Sequence, residues 1–126
     1  MIRIPDPGRF ELRLMDGSAN PYLLQASVLA AGINGIKNKI DPGKPLNCNM
    51  YEDFAKYPNL PKLPDELDQS LKKLKQNKEM NDAFGADVIN SYIKLRSTEI
   101  KEFNNIERFD KSKPITKWER QNTLDC

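Results

Sequence analysis

The 126-residue sequence contains no histidine. Histidine is the commonest general base near neutral pH and the commonest transition-metal ligand. Any general base or metal ligand in this chain must therefore be another residue type. A Ser-His-Asp or Cys-His catalytic site within the chain is therefore excluded. Cysteine is almost as scarce, because the sequence has only Cys48 and Cys126, which do not have the spacing of a zinc site. Two cysteines provide no disulfide framework, so we expect a reducing, cytoplasmic location.

Long hydrophobic runs and an excess of one charge are also missing. The most apolar stretch, residues 23–33, is too short to span a membrane and contains Gln25. The 20 basic residues are nearly balanced by 18 acidic ones, which leaves a net charge of +2. A nucleic-acid-binding face would show clustered basic residues, whereas the lysines between residues 72 and 78 lie beside acidic residues and fit a solvated helix face. We therefore expect neither a membrane nor a nucleic acid as a partner.

The most informative local pattern lies near the start of the chain. Residues 9–14 alternate between charged and apolar side chains, and a period of two places Arg9, Glu11 and Arg13 on one face of a strand. The apolar residues at 10, 12 and 14 then lie on the other face. Residues 2–4 are also strand-like and are followed by a Pro-Asp-Pro-Gly turn. The sequence therefore predicts a short strand element within residues 2 to about 15.

The remainder of the chain predicts mainly helices. Asn20 can cap a helix with Pro21 at its first position, and this helix, to about residue 38, is apolar on nearly every side. Such a helix is buried, so it must be covered by more protein than this chain supplies. Further helices are predicted at 64–78, at 86–103 and after a capping box at Thr116, with an irregular segment at 41–63 that has a short turn at 51–56.

These elements indicate an α+β fold in which an antiparallel strand element precedes the helices. Two strands alone do not make an independently stable sheet, so we expect that further strands are missing from this chain.

The charged strand face allows two interpretations. Glu11 offers hard oxygen ligands that suit Mg²⁺ or Mn²⁺, and the arginines at 9 and 13 can hold carboxylate or phosphate groups through paired N–H donors. Alternatively, the face is only the salt-bridged, water-facing side of an amphipathic strand, and because such faces are common the pattern alone favours this simpler interpretation. Arg3 could lie near the same face or be a terminal surface arginine.

Several motifs in this order carry a family resemblance. The runs I-R-I-P, R-F-E-L-R, D-G-S-A-N-P-Y-L and A-G-I-N-G-I-K-N-K-I-D-P-G cover residues 2–43, and P-K-L-P, F-G-x-x-V-I-x-x-Y-I-x-L and W-E-R-x-x-T-L-D continue to the end. Together they resemble the C-terminal part of the catalytic domain of glutamine synthetases. The chain is most similar to the type III-like branch, which also resembles γ-glutamylmethylamide synthetases. On this interpretation residues 1–126 are a partial catalytic domain.

The resemblance implies a specific chemistry. The family forms γ-glutamyl phosphate from glutamate and ATP at Mg²⁺ or Mn²⁺ ions, and ammonia, or methylamine in the related enzymes, then displaces the phosphate. By the same resemblance Glu11 is a metal ligand and Arg13 binds the substrate glutamate. Arg9 and Arg3 face the nucleotide phosphates and the transferring phosphoryl group. The connection at residues 5–8 is shorter than in the family, and this departure could displace Arg3.

The resemblance also implies an incomplete site. The family's other metal-binding glutamates, its histidine, its ATP-site residues and its N-terminal domain lie upstream of these motifs, and its active sites lie between neighbouring subunits. We therefore expect the chain alone to be inactive, with the missing upstream part or synthetase subunits as partners. Two alternatives remain: a non-enzymatic module that docks onto intact synthetase subunits through the apolar helix at 22–36, and a plain helical domain with a vestigial ligase motif.

Overall fold

A computed structural model describes residues 2–15, 17–106 and 115–123. An antiparallel pair of strands is followed by helices, which confirms the predicted α+β fold class. The elements are β1 (Ile2–Asp6), β2 (Arg9–Leu12), α1 (Pro21–Lys37), α2 (Met50–Asp53) with a 3₁₀ turn (Phe54–Lys56), α3 (Leu67–Gln76), α4 (Lys78–Phe84), α5 (Ala86–Ile106) and α6 (Lys117–Asn122). Cys126 lies outside the described residues.

The two strands form a hairpin with an irregular register. Gly8 in the connection has a φ of +79°, a conformation that costs glycine little. The register pairs Asp6 with Arg9 but Arg3 with Glu11, so β1 contains one extra residue, a β-bulge, between these two pairs. β2 ends at Leu12, earlier than the predicted end at 14, because Leu12 already lies opposite the first residue of β1.

Helix α1 has the predicted cap, and its apolar sides are largely uncovered. The Asn20 side chain accepts hydrogen bonds from the backbone N–H groups of Tyr22 and Leu23, at 3.0 and 3.1 Å. Within the described part of the chain none of its residues is buried, as expected for an apolar helix whose cover this part of the chain does not supply. Tyr22 is 81% exposed and Ile36 is 80% exposed. The apolar composition of α1 is thus not explained by contacts that this chain supplies.

The later helices agree with the sequence in part. The predicted helix at 64–78 corresponds to α3, which begins later, at Leu67, and ends before Asn77. The Asn77 side chain accepts a 2.8 Å hydrogen bond from the backbone N–H of Met80 and caps α4, a helix that was not predicted. The short turn at 51–56 is confirmed by α2 and the 3₁₀ turn that follows it. The capping box at Thr116 is also confirmed, with Glu119 bonding back to the backbone of Thr116.

Packing among the helices is sparse. α3 packs against α5, and α1 packs against α4. Among the described residues only two large apolar side chains, Leu71 and Ile89, are buried. Trp118 of α6 docks edge-on against Phe103 of α5, with ring centroids 5.7 Å apart, as expected for a residue that anchors the tail. No helix in the described ranges has the length and apolar character needed to cross a membrane.

Candidate functional site: an arginine–glutamate cluster on the hairpin

The hairpin brings Arg3, Arg9, Glu11 and Arg13 together, and these four residues are called the arginine–glutamate cluster below. Arg9, Glu11 and Arg13 are two residues apart, so they share one face of the extended chain. Arg3 joins them from the other strand because it is the cross-strand partner of Glu11. The prediction of a single charged face is therefore confirmed, and the short connection at residues 5–8 does not move Arg3 away from it.

The bulge in β1 determines which residue lies opposite Glu11. If the register of the Asp6–Arg9 pair continued without the bulge, Ile4 would face Glu11. The extra residue shifts the pairing by one position, and a shift of one position turns every later side chain to the opposite face. The bulge thus places a guanidinium, rather than an apolar side chain, beside the carboxylate.

The Glu11 carboxylate accepts hydrogen bonds from all three arginines. Arg9 Nη2 donates to Oε1 at 2.8 Å, and Arg13 Nη2 donates to Oε2 at 2.9 Å. Arg3 Nη1 lies 3.4 Å from Oε1 and 3.2 Å from Oε2. Each carboxylate oxygen therefore has two donors, which uses the usual acceptor capacity of a carboxylate.

The electrostatics of the cluster favour anions. Three guanidiniums and one carboxylate leave two positive charges in excess on this face. The Glu11 side chain is 23% exposed, whereas those of Arg3, Arg9 and Arg13 are 58%, 63% and 58% exposed, so the donors remain open to a ligand. Hydrogen bonds from Arg13, Arg3 and Arg9, in that order of importance, lower the pKa of Glu11 below its ordinary value. Glu11 is thus a carboxylate throughout the neutral range.

A divalent cation does not fit this cluster as it stands. Glu11 has the right oxygen chemistry for Mg²⁺ or Mn²⁺, but its lone pairs are occupied and three positive charges surround it. The described ranges contain no group of three or more histidine, cysteine, aspartate or glutamate side chains that could hold a metal ion. Glu11 would be free to ligate a metal ion only if at least one arginine turned away from it, and further ligands would have to come from outside the described residues.

Two features outside the cluster were not predicted from the sequence. An open apolar groove of about 250 Å³ lies between α1, α4 and α5, with Leu23, Phe84 and Tyr92 among its lining residues. It could not be predicted because it depends on how the helices pack. Near the start of α2, Cys48 Sγ lies 3.5 Å from Met50 Sδ, and a hydrogen bond with Cys48 raises the pKa of Tyr57. Neither feature brings together the groups of a catalytic site.

Comparison with known proteins decides the family. The family model for "Glutamine synthetase, catalytic domain" matches residues 1–122. The chain belongs to the glutamine synthetase family. The resemblance drawn from the sequence motifs is thereby confirmed.

Individual relatives show how much of a glutamine synthetase is present. A glutamine synthetase of Rhizobium meliloti (strain 1021) is 42% identical over 125 residues, which cover 99% of this chain and 27% of that relative. A glutamate–methylamine ligase of Methyloversatilis universalis is 39% identical over 109 residues, which cover 82% of this chain and 24% of that protein. The chain therefore spans about a quarter of the length of these relatives.

A solved structure also resembles this one. The complex of GmaS with ADP, in conformation 1, matches with a TM-score of 0.78 and 37% identity, and the match covers 100% of this chain and 27% of that chain. The described fold thus corresponds to the C-terminal segment of a glutamine synthetase catalytic domain.

Proposed function

We propose that this chain is part of an ATP-dependent glutamate–ammonia ligase that forms glutamine through γ-glutamyl phosphate. The observation that carries the proposal is the arginine–glutamate cluster, in which three exposed guanidiniums and a carboxylate converge on one strand face of a glutamine synthetase catalytic domain. A strand that served only as structure would not require this charge pattern. Phosphoryl transfer depends mainly on positive charge and positioning, which such a cluster supplies.

Each member of the cluster has a separate proposed role. Arg13 binds the carboxylate of the substrate glutamate, because a planar guanidinium can form two parallel hydrogen bonds with a carboxylate. Arg9 binds ATP phosphate oxygens, and Arg3 and Arg9 stabilise the negative charge on the transferring phosphoryl group. Glu11 holds the three guanidiniums in place and would supply one oxygen ligand to Mg²⁺ or Mn²⁺ when an arginine turns from it to a substrate. Such an ion would supply positive charge that offsets the charge of the phosphate groups.

The chain alone is proposed to be an inactive, partial catalytic domain comprising residues 1–126. It lacks enough metal ligands among its described residues, and it spans only 27% of the Rhizobium meliloti relative. Its partners are then the rest of the synthetase and neighbouring synthetase subunits, with glutamate, ATP and ammonia as substrates, in the cytoplasm. A non-enzymatic module that docks onto synthetase subunits is an alternative supported by the exposed apolar residues of α1.

A second candidate reaction uses methylamine in place of ammonia. Its support is the 39% identity to the Methyloversatilis universalis glutamate–methylamine ligase and the match to the GmaS complex with ADP. The product would then be γ-glutamylmethylamide, formed through the same acyl phosphate.

A chimaera tests the proposed function. The matched segment of the Rhizobium meliloti enzyme is replaced by this chain, and release of phosphate from ATP is measured with glutamate plus ammonia or glutamate plus methylamine. Amine-dependent phosphate release with glutamine as the product supports the ammonia ligase, and preference for methylamine supports the second candidate. A correctly assembled chimaera that turns over neither amine, beside an active parent enzyme, contradicts both.

A further inference from the structure

A second groove, called the α3–α5 groove, lies between helices α3 and α5, which pack against each other. It is open to solvent and has a volume of about 260 Å³. Its floor is apolar and contains Leu71, which is buried, together with the half-buried Ile93 and Ile100. The groove shares no lining residue with the arginine–glutamate cluster or with the groove beside α1. It is therefore a separate surface of the chain.

The rim of the α3–α5 groove is positively charged. Lys72 and Lys75 contribute to it from α3, and Lys101 contributes from α5. Asp68 also lines the groove, but its Oδ2 lies 3.0 Å from Lys72 Nζ, so these two charges offset each other. Among the described residues neither Lys75 nor Lys101 forms an ion pair. Two unpaired ammonium groups therefore remain, one on each helix that forms the groove.

These charges restrict what can cover the groove. Helix α3 is amphipathic, with a stripe of leucines on one side and polar side chains on the other, as is typical of a helix at a protein surface. Burying an ammonium group without a carboxylate partner costs free energy. An apolar surface laid over the floor would leave Lys75 and Lys101 buried and unpaired. The occupant must therefore bring apolar side chains for the floor and carboxylates for the rim.

The shape of the groove favours a segment of protein over other ligands. Small-molecule sites usually enclose about 300–1,000 Å³ and bury most of the ligand, whereas this groove is smaller and open. A nucleic acid calls for clustered basic residues, and here it would meet an apolar floor and two unpaired lysines. The groove between two packed helices accepts the side chains of a third, and helices bind such grooves through apolar residues three and four positions apart.

We propose that the α3–α5 groove is a docking site for an acidic amphipathic helix of another protein. The apolar side of that helix contacts Leu71, Ile93 and Ile100. Carboxylates on its two flanks pair with Lys75 of α3 and Lys101 of α5. The site lies outside the arginine–glutamate cluster and does not depend on the ligase reaction, so it goes beyond the proposed function. It gives the chain, and the enzyme to which it belongs, a means of binding a second protein.

A model peptide tests the docking site. The peptide is a helix of about 18 residues, or five turns, with leucine at every third or fourth position and glutamate on both flanks. Its fluorescein-labelled form is titrated with the full 126-residue chain and with the Rhizobium meliloti chimaera, and binding is followed by fluorescence anisotropy. We expect saturable binding of similar affinity to both proteins, weakened by salt. A peptide with lysine in place of glutamate should not bind.

Charge-reversal variants locate the peptide. Lys75→Glu combined with Lys101→Glu should weaken binding by at least about tenfold, because like charges then face each other across the groove. Lys44→Glu combined with Lys73→Glu is the matched control, since it changes the net charge equally at exposed lysines that do not line the groove. It should alter the affinity by less than about twofold. Circular dichroism verifies that both pairs of substitutions leave the helices folded.

Several outcomes would overturn the proposal. Equal weakening by the two pairs of substitutions would show that the peptide responds only to net charge. Binding to the isolated chain but not to the chimaera would show that the remainder of the enzyme covers the groove. Tighter binding of dodecanoate than of the peptide would make the groove a site for small amphiphilic anions. Peptide binding to a chimaera that turns over neither amine would uphold the docking site and contradict the proposed function, and turnover without peptide binding would do the reverse.

Discussion

Arg3 and Glu11 lie directly opposite each other across the hairpin, with Arg3 Nη1 3.2 Å from Glu11 Oε2. This relationship joins the two strands through charge as well as through backbone hydrogen bonds. It depends on the bulge between Arg3 and Asp6, since the uninterrupted register would bring Ile4 to the carboxylate. The backbone irregularity of β1 is therefore part of the candidate site.

The first prediction concerns the protonation of Glu11. Because its pKa is lowered in the folded chain, the cluster's contribution to stability is fully present above the unfolded-state value of about 4.3. That contribution is lost as the pH falls through the lower, folded value. Carbon-detected NMR of the glutamate carboxyl groups should show Glu11 titrating below about 4.3 in the isolated chain.

Arginine variants provide the control for this titration. Arg13→Ala should move the Glu11 midpoint upward, and by more than Arg9→Ala does, because Arg13 contributes most to the lowered pKa. Arg120→Ala removes an exposed arginine of α6 and should leave the midpoint unchanged. A Glu11 midpoint at the ordinary value in the unmodified chain would show that the cluster does not form in solution.

The second prediction concerns Glu11→Gln in the chimaera. Glutamine keeps the shape and a hydrogen-bond acceptor but loses the charge that both a metal ion and the three guanidiniums require. Metal-supported turnover should fall by at least about a hundredfold, as expected when a charge-stabilising metal site is lost. Thermal unfolding should change little, because the cluster is on an exposed face of the hairpin.

Metal titrations separate the two roles of Glu11. If the residue is a ligand, raising the Mg²⁺ or Mn²⁺ concentration should recover part of the lost activity. Near-normal turnover of Glu11→Gln at ordinary Mg²⁺ concentration would refute the ligand role and leave only the task of orienting the arginines.

The third prediction concerns Arg13→Ala. This variant loses the proposed hydrogen bonds between Arg13 and the carboxylate of the substrate glutamate. The KM for glutamate should therefore rise by about tenfold or more, with a much smaller effect on the KM for ATP. Steady-state kinetics of the chimaera, with each substrate varied in turn, measure both values. Arg120→Ala is again the matched control and should alter neither. Equal increases in the KM for glutamate and the KM for ATP would indicate that Arg13 only supports the position of Glu11.

The shared face of Arg9, Glu11 and Arg13 could be predicted because side-chain direction in an extended strand depends only on the parity of the position. The position of Arg3 could not be derived in the same way, since a bulge of one residue is invisible to an alternating pattern. The capping box at Thr116 could be predicted because it involves contacts only between residues within one helical turn, which the local sequence shows directly. Helix α4 was not predicted, although Asn77, a good N-cap residue, was a local signal for its start.

The exposure of α1 could be predicted from composition and chain length together. A helix that is apolar on nearly every side needs cover on every side, and the sequence offered too few other apolar elements to provide it. The described residues do not supply that cover, so the same side chains are exposed here. The proposed metal site could not be completed from the sequence either, because a strand pattern carries no information about ligands on other elements.

The fourth prediction concerns Gly85, which ends α4 and directly precedes α5 with φ +83° and ψ 146°. Residues with a side chain rarely adopt this conformation, so Gly85→Ala should destabilise the folded chain by about 1–3 kcal/mol. Chemical denaturation followed by the fluorescence of Trp118, the single tryptophan, measures this change. Gly17→Ala is the matched control: like Gly85 it has open space for a Cβ, but its φ is not in the strained range. Equal stability of the two variants would mean that the junction between α4 and α5 relaxes into an ordinary conformation at little cost.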